Sequence, residues 1–170
     1  FDSAVTAYDA ARAAELISRD VLACRINGVV SDLTTPIDSD AEVELLTFDD
    51  KDGAHVLRHT ASHVLAAAVK RLYPDVKLTI GPAIENGFYY DFDSQTAFTP
   101  EVLGRIESEM KKIVHENLII EKFELPRDEA KALMSERGEI YKLLLIDRVP
   151  EGEKITFYKQ GEFIDLCAGP

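Results

Sequence analysis

Two histidines four residues apart, in the run His59-Thr60-Ala61-Ser62-His63, are the sharpest chemical signal in the chain. On a helix that spacing puts both imidazoles on one face, roughly 6 Å apart along the axis. Such a pair can hold one metal ion, or divide acid and base work on one substrate. The plain alternative is two surface histidines on an amphipathic helix. Half of the chain's four histidines lie in these five residues, and the apolar positions that follow face a core, which places the pair at a core rim. A second signal is Asp165-Leu166-Cys167-Ala168-Gly169-Pro170. A cysteine just after an apolar strand puts a thiol at a strand end, where it can face a pocket; the plain alternative is a buried small hydrophobe. A third is Lys142, in Gly138-Glu139-Ile140-Tyr141-Lys142-Leu143. A lysine beside apolar residues usually snorkels to the surface, but a desolvated one can steady an anion or an attacking water. Gly87-Phe88-Tyr89-Tyr90-Asp91 reads as core plus one exposed ring, with one tyrosine hydroxyl available to line a ligand site. Cys24 reads as core, and His55 and His115 as solvated.

The elements that must position these groups follow from periodicity. Thr6-Ala7-Tyr8-Asp9 resembles a capping box ahead of an alanine-rich helix running to Leu16. Residues 22–26 and 29–32 flank Asn27-Gly28, a hairpin turn with positive φ at both positions. Residues 41–47 alternate apolar and acidic and read as a half-buried strand. The charged stretch 49–53, ending in Gly53, reads as a linker or tight loop. Residues 59–73 read as a helix, with Val64, Leu65, Ala68, Val69 and Leu72 at helical spacing and Pro74 as its stop. Residues 76–80 look extended, Gly81-Pro82 makes a turn, and Asn86-Gly87 closes a second hairpin. Thr99-Pro100-Glu101 starts a helix whose apolar stripe is Val102, Ile106, Met110, Ile113 and Val114. A strand over 118–125, a short helix over 128–137 ended by Gly138, and a third hairpin around Gln160-Gly161 complete the chain. The fold class is α+β with mostly antiparallel strands.

Composition bounds the function. At 170 residues and 46% hydrophobic, the chain is a globular one of one or two domains. No apolar run approaches the roughly 20 residues a bilayer demands. Two distant cysteines make no disulfide framework, so a reducing cytoplasm is the expected compartment. Phosphate-loop, dinucleotide and His-Glu-x-x-His motifs are missing. The net charge of −12 opposes a nucleic-acid coat, but it is uneven. Residues 1–53 carry twelve acids against four bases, and residues 54–170 nineteen against fifteen. RNA contact through Lys70, Arg71 and Lys77 is one reading of the larger segment; a solvated helix face is the plainer one.

Taken in order, Arg58-His59-Thr60-Ala61-Ser62-His63, Ile80-Gly81-Pro82, Asn86-Gly87-Phe88-Tyr89-Tyr90-Asp91, Gly138-Glu139-Ile140-Tyr141-Lys142 and Asp165-Leu166-Cys167-Ala168-Gly169-Pro170 resemble the N-terminal region of bacterial-type threonyl-tRNA synthetase. The resemblance implies a small ubiquitin-like β-grasp (TGS) domain over 1–50, without its first strand, followed over 54–170 by an editing domain of the kind shared with alanyl-tRNA synthetase, cut short at its C-terminus. It implies proofreading of seryl-tRNA(Thr) by hydrolysis, with aminoacylation in domains beyond this chain. A missing methylene yields only about 1–3 kcal/mol of discrimination, so a second, smaller pocket is needed to reject serine. On this resemblance His59, His63, Lys142 and Cys167 are the catalytic group, and Tyr90, Asp165, Gly81 and Pro82 bind substrate. A neutral His59 or His63 deprotonates or orients a water, Lys142 steadies the developing charge, and Asp165 takes the substrate ammonium or hydroxyl. A metal-free site is favoured, with zinc on His59, His63 and Cys167 as the alternative. The parent enzyme uses ATP, magnesium and a zinc in its catalytic domain, none bound by this region. The implied partners are serine-bearing threonine tRNA and the remaining synthetase domains, in a homodimer formed through those domains, with no membrane. Two competing readings are a non-catalytic TGS-type binding module and an alanyl-type trans-editing deacylase.

Overall fold

The structure is a computed structural model and describes residues 4–170. The domain start expected at Phe1 lies outside the described residues. Helices and short antiparallel sheets alternate, an α+β arrangement. Contacts divide the chain into two units. One runs to Thr60 and takes in Ala83–Gly87 and Pro170; the other comprises Ala61–Pro82 and Phe88–Gly169.

In the first unit, β1 (Val5–Thr6) leads directly into α1 (Ala7–Ala13). The capping box forms as the sequence predicts. Asp9 N–H donates to Thr6 Oγ1 at 3.1 Å, and Thr6 N–H donates to the Asp9 carboxylate at 3.2 Å. The helix stops short of Leu16 because Glu15 turns to φ 59°. Glu15 N–H then bonds Arg12 C=O and Leu16 N–H bonds Ala11 C=O, a Schellman closure that satisfies the terminal carbonyls. Strands β2 (Ala23–Ile26) and β3 (Val29–Ser31) form the expected hairpin, with Asn27 at φ 47° and Gly28 at φ 83°. The short β4 (Pro36–Ile37) pairs with β1, and β5 (Val43–Leu46) pairs with the other edge of β2. Cys24 is fully buried in the central strand, where burial and the Asp32 charge push its thiol up to about 11.

The stretch expected as a linker or tight loop makes a turn through Asp49 and Asp50 and, from Lys51, becomes the start of a helix. The Asp50 carboxylate accepts from Thr47 N–H at 2.8 Å and Ala54 N–H bonds Asp50 C=O, so α2 (Lys51–Leu72) begins eight residues earlier than the sequence suggests. Gly53 is not a breaker here. A Cβ on it would sit 2.0 Å from the Thr47 carbonyl oxygen, so glycine is what lets the strand end and the helix approach.

The second unit holds the rest of α2, followed by β6 (Lys77–Leu78), which pairs with β9 (Phe92–Asp93). Between them in sequence, residues 83–87 of the first unit include β7 (Ala83–Ile84), and the chain turns at Glu85 and Asn86, rather than at Asn86 and Gly87, into β8 (Gly87–Phe88); neither Asn86 nor Gly87 needs positive φ. Helix α3 (Pro100–Glu116) starts at Thr99, whose hydroxyl accepts from Val102 N–H. Ile106 and Ile113 are buried as expected, but Val114 is 67% exposed, because 100° per residue carries it off the stripe. Then come β10 (Ile120–Leu125), α4 (Arg127–Glu136), the short α5 (Ile140–Ile146), β11 (Ile155–Gln160) and β12 (Phe163–Leu166).

Strands β10, β11 and β12 form one antiparallel sheet, with Tyr158 opposite Asp165 and Phe157 opposite Leu166. Period-2 alternation sends its two faces to different cores. Ile155, Phe157, Ile164 and Leu166 pack with Met134, Leu143 and Ile146 of α4 and α5. Phe163 packs with Val64, Ala67, Ala68 and Val69 of α2. Asp165, two residues on from Phe163, is therefore carried inward on the α2 side.

Candidate active site

The groups singled out in the sequence arrive from four elements. His63 stands mid-way along α2, Lys142 in the first turn of α5, Asp165 near the end of β12, and Tyr90 just before β9. Asp165 is their hub. Its Oδ1 lies 2.6 Å from Lys142 Nζ, and its Oδ2 lies 3.1 Å from His63 Nδ1. The same Oδ2 accepts from the Tyr90 hydroxyl at 2.6 Å, while that hydroxyl accepts from Lys142 Nζ at 3.0 Å. Asp165 is 1% exposed and Lys142 2%. Lys142 is thus not a snorkelling surface lysine. Its ammonium also lies 5.5 Å from the centroid of the Tyr90 ring, close enough for a cation–π attraction.

The electrostatics follow from this packing. Burial raises the Asp165 carboxyl, but the Lys142 ammonium and the His63 imidazole outweigh it and hold the group down at about 2. Burial lowers His63, but its bond to Asp165, with contributions from Cys167, outweighs burial and lifts the imidazole to about 9. His63 is therefore imidazolium at neutral pH. Burial and the Asp165 carboxylate push the Tyr90 phenol far above its ordinary value. The cluster is a carboxylate ringed by two cations and a phenol, a arrangement that holds proton donors in fixed directions.

Gly81 and Pro82 belong to the loop that follows β6. Ser62 Oγ, fully buried beside His63, donates to Gly81 C=O at 2.7 Å. Asp91 N–H bonds Ile80 C=O at 2.9 Å and Tyr89 N–H bonds Pro82 C=O at 3.4 Å, so the loop lies along the Tyr90 segment. A Cβ on Gly81 would fall 2.0 Å from Tyr90 Cδ2. Tyr90 in turn stacks on Phe92, ring centroids 4.9 Å apart.

Cys167 follows β12 directly, and its N–H bonds Thr156 C=O at 3.1 Å. It is half-buried and interacts with His63, so it is a strand-end thiol facing the cluster. His63 and Cys167 are the soft donors that this unit offers a metal. His59, half-buried, precedes His63 by one turn of α2 and stacks obliquely near His55, ring centroids 6.3 Å apart.

Three features were not singled out in the sequence. Helix α5 was unassigned, although Ile140-Tyr141-Lys142-Leu143-Leu144-Leu145-Ile146 is an uninterrupted helix-forming run. Ser62, fully buried, and Glu139, 3% exposed, also carry no role in the sequence reading. An acid at the head of an apolar run was the signal for the last.

Two of the three cations weighed for RNA contact, Lys70 and Arg71, are engaged by acidic side chains. Lys70 Nζ pairs with Glu139 at 2.7 Å, and Arg71 grips Glu116 with both guanidinium nitrogens at 2.6 and 2.7 Å. Among the described residues no helix is long and apolar enough to cross a membrane.

No protein-family model matches the chain. It is similar to proteins named threonine--tRNA ligase: 60% identical over 152 residues to that of Clostridium tetani, 59% over 154 residues to that of Acetivibrio thermocellus, and 59% over 152 residues to that of Clostridium botulinum. These matches take in 89%, 91% and 89% of this chain, and each covers 24% of the relative. The chain thus spans about a quarter of the length of the curated relatives it matches.

Proposed function

We propose that this chain is the proofreading part of a threonine--tRNA ligase and hydrolyses the ester that joins serine to threonine tRNA. The observation that carries the reading is the buried Lys142–Asp165–Tyr90–His63 cluster, found in a chain about 60% identical to threonine--tRNA ligases. Ligation of threonine to tRNA, with ATP and magnesium, belongs on this reading to the remaining three-quarters of the enzyme, which also supplies its partners. The first 50 residues are its TGS-type domain and residues from about 54 onward its editing domain. The enzyme works in the cytoplasm.

Hydrolysis needs a water aimed at the ester carbonyl and donors aimed at the oxyanion. Lys142 has three N–H donors. Asp165 and Tyr90 take two; the third points the ammonium's charge at the carbonyl oxygen. Because His63 is protonated at neutral pH, its role is donor rather than base. The base on the water falls to His59, on the same face of α2. The water oxygen bonds to the carbonyl carbon and its proton passes to His59. The bond from that carbon to the ribose oxygen breaks, and the ribose oxygen leaves with a proton from His63. Free serine and tRNA with its terminal hydroxyl restored are the products. On this reading Asp165 is a positioning residue, its two oxygens holding Lys142, His63 and Tyr90 in register.

Gly81 and Pro82 form the wall that excludes the threonine methyl, and Cys167 flanks His63. The chemistry runs without metal, the ammonium and imidazolium supplying the positive charge that zinc would otherwise bring. The test is a deacylation assay with seryl-, alanyl- and threonyl-tRNA. Release of serine alone supports the reading. Preference for alanyl-tRNA would make the chain an alanyl-type deacylase, and three intact esters would make it a binding module.

A further inference from the structure

Glu139 is a buried carboxylate that the hydrolytic scheme leaves without a task. It stands immediately before α5, in the capping position, yet its side chain makes no capping bond to that helix. It turns instead toward two other elements. One oxygen accepts from Leu78 N–H at 2.9 Å, and the other pairs with Lys70 Nζ at 2.7 Å. Lys70 is itself held by the carbonyls of Pro74 at 2.8 Å and Val76 at 3.0 Å. A carboxylate this buried is tolerable only when paired and hydrogen-bonded, and Glu139 is both.

Its partners carry the cluster. Lys70 is on α2, two turns beyond His63 and on the same face. Leu78 opens the segment that runs through Gly81, where the Tyr90 ring is seated. Lys142 follows Glu139 by three residues, and its N–H bonds the Glu139 carbonyl at 3.1 Å. Helix α5 has seven residues, too few to be stable unaided. Leu143 and Ile146 fasten its inner face to the sheet, but Ile140 and Leu144 are 52% and 58% exposed. Among the described residues, the turn that holds Lys142 is thus anchored on its other sides by polar contacts, the Tyr141 hydroxyl donating to Asp93 at 2.8 Å and Glu139 gripping Leu78 and Lys70.

Resting on the hydrolytic reading above, we propose that Glu139 is a positioning residue for that reaction: it pins the first turn of α5 to α2 and β6, and so sets where the Lys142 ammonium stands relative to His63 and Tyr90. A displacement of about 1 Å of a catalytic group costs roughly a hundredfold in rate. The role acts on the transition state, not on substrate affinity.

The experiment is steady-state hydrolysis of seryl-tRNA(Thr) by the chain and by Glu139→Ala, Glu139→Gln, Lys70→Met and Lys142→Ala, each assayed well below its melting midpoint. Glu139→Ala should lower kcat about a hundredfold with KM within twofold. Glu139→Gln keeps an acceptor for Leu78 N–H and should recover most of that loss. Lys70→Met, which removes the other half of the pair, should lower kcat several-fold, and it carries the test together with Glu139→Gln if the alanine variant does not fold. A kcat within twofold for Glu139→Ala, a loss residing wholly in KM, or a glutamine variant as slow as the alanine one overturns the proposal. If Lys142→Ala is inactive while Glu139→Ala is fully active, only this inference falls. If Lys142→Ala hydrolyses the ester like the unaltered chain, the hydrolytic reading falls and takes this one with it.

Discussion

Lys142 Nζ and Asp165 Oδ1 are 2.6 Å apart, on side chains of which no more than 3% is exposed. A short helix and a sheet strand thus share one buried ion pair, and the pair is asymmetric. Asp165 has two further partners, Tyr90 and His63; among the described residues Lys142 has Tyr90 besides. Removing the carboxylate leaves two buried cations uncompensated, whereas removing the ammonium leaves Asp165 with His63 and Tyr90.

Asp165→Ala should therefore cost more stability than Lys142→Ala. Breaking a buried pair from one side costs about 3–5 kcal/mol, and Asp165→Ala belongs at the upper end. Urea denaturation at pH 7 measures both. Equal losses would mean that His63 and Tyr90 draw nothing from the carboxylate.

For catalysis the order reverses in character. Lys142→Ala removes the donor assigned to the oxyanion and should lower seryl-tRNA deacylation about 10²–10³-fold. Single-turnover deacylation, monitored by release of labelled serine, reads this directly. A tenfold effect or less would demote Lys142 to a structural cation.

The raised His63 and lowered Asp165 fix the sign of the pH dependence. His63 titrates at about 9 in the folded chain against an ordinary 6.5, so its contribution is fully present below pH 6.5 and is lost as pH rises through 9. Asp165 titrates at about 2 against 3.8, so its contribution is present above pH 3.8 and is lost as pH falls through 2. The two shifts describe largely one interaction, worth roughly 2–3 kcal/mol. Unfolding free energy measured from pH 6 to 9.5 should decline by about that much, and His63→Gln should flatten the decline.

Much of the frame behind this cluster is legible in the residues themselves. The Thr6–Asp9 capping box, the Asn27-Gly28 hairpin and the Thr99-Pro100 helix start are local devices, each determined by a few neighbouring side chains. The start of α2 was not legible, because Asp50 binds Thr47 and Gly53 lies against the Thr47 carbonyl; a charged, glycine-ended stretch looks like a linker until its partner is known. His63, Lys142, Tyr90 and Asp165 were visible as residue types, and their convergence is long-range: Tyr90 and Asp165 meet across 75 positions of sequence. Glu139 and Ser62 are not legible as site residues because their partners are backbone groups and a distant lysine, which no spacing rule reveals.

The engaged cations give a prediction about RNA. Arg71 is spent on Glu116 and Glu109, and Lys70 on Glu139. Arg71→Gln should change the affinity of the chain for tRNA less than twofold and leave the slope of log K against log salt unaltered, since no phosphate contact is lost. Filter binding across a salt series measures it; a slope reduced by about one would place a phosphate on Arg71.

Gly81→Ala should lower the melting temperature and the deacylation rate together. The added methyl meets the Tyr90 ring, and overpacking of this kind typically costs about 1–3 kcal/mol. Calorimetry beside the activity assay would show it; an unchanged melting midpoint would mean that the ring moves aside freely.

That steric relation also restricts how the sequence itself can drift. Residue 81 can grow only after residue 90 shrinks, yet a smaller residue 90 gives up the phenol that Asp165 and Lys142 both bind. Either step taken first is harmful. The glycine and the tyrosine therefore constrain each other as a couple, and a variant that gave up one would have to rebuild the carboxylate's surroundings before it could dispense with the other.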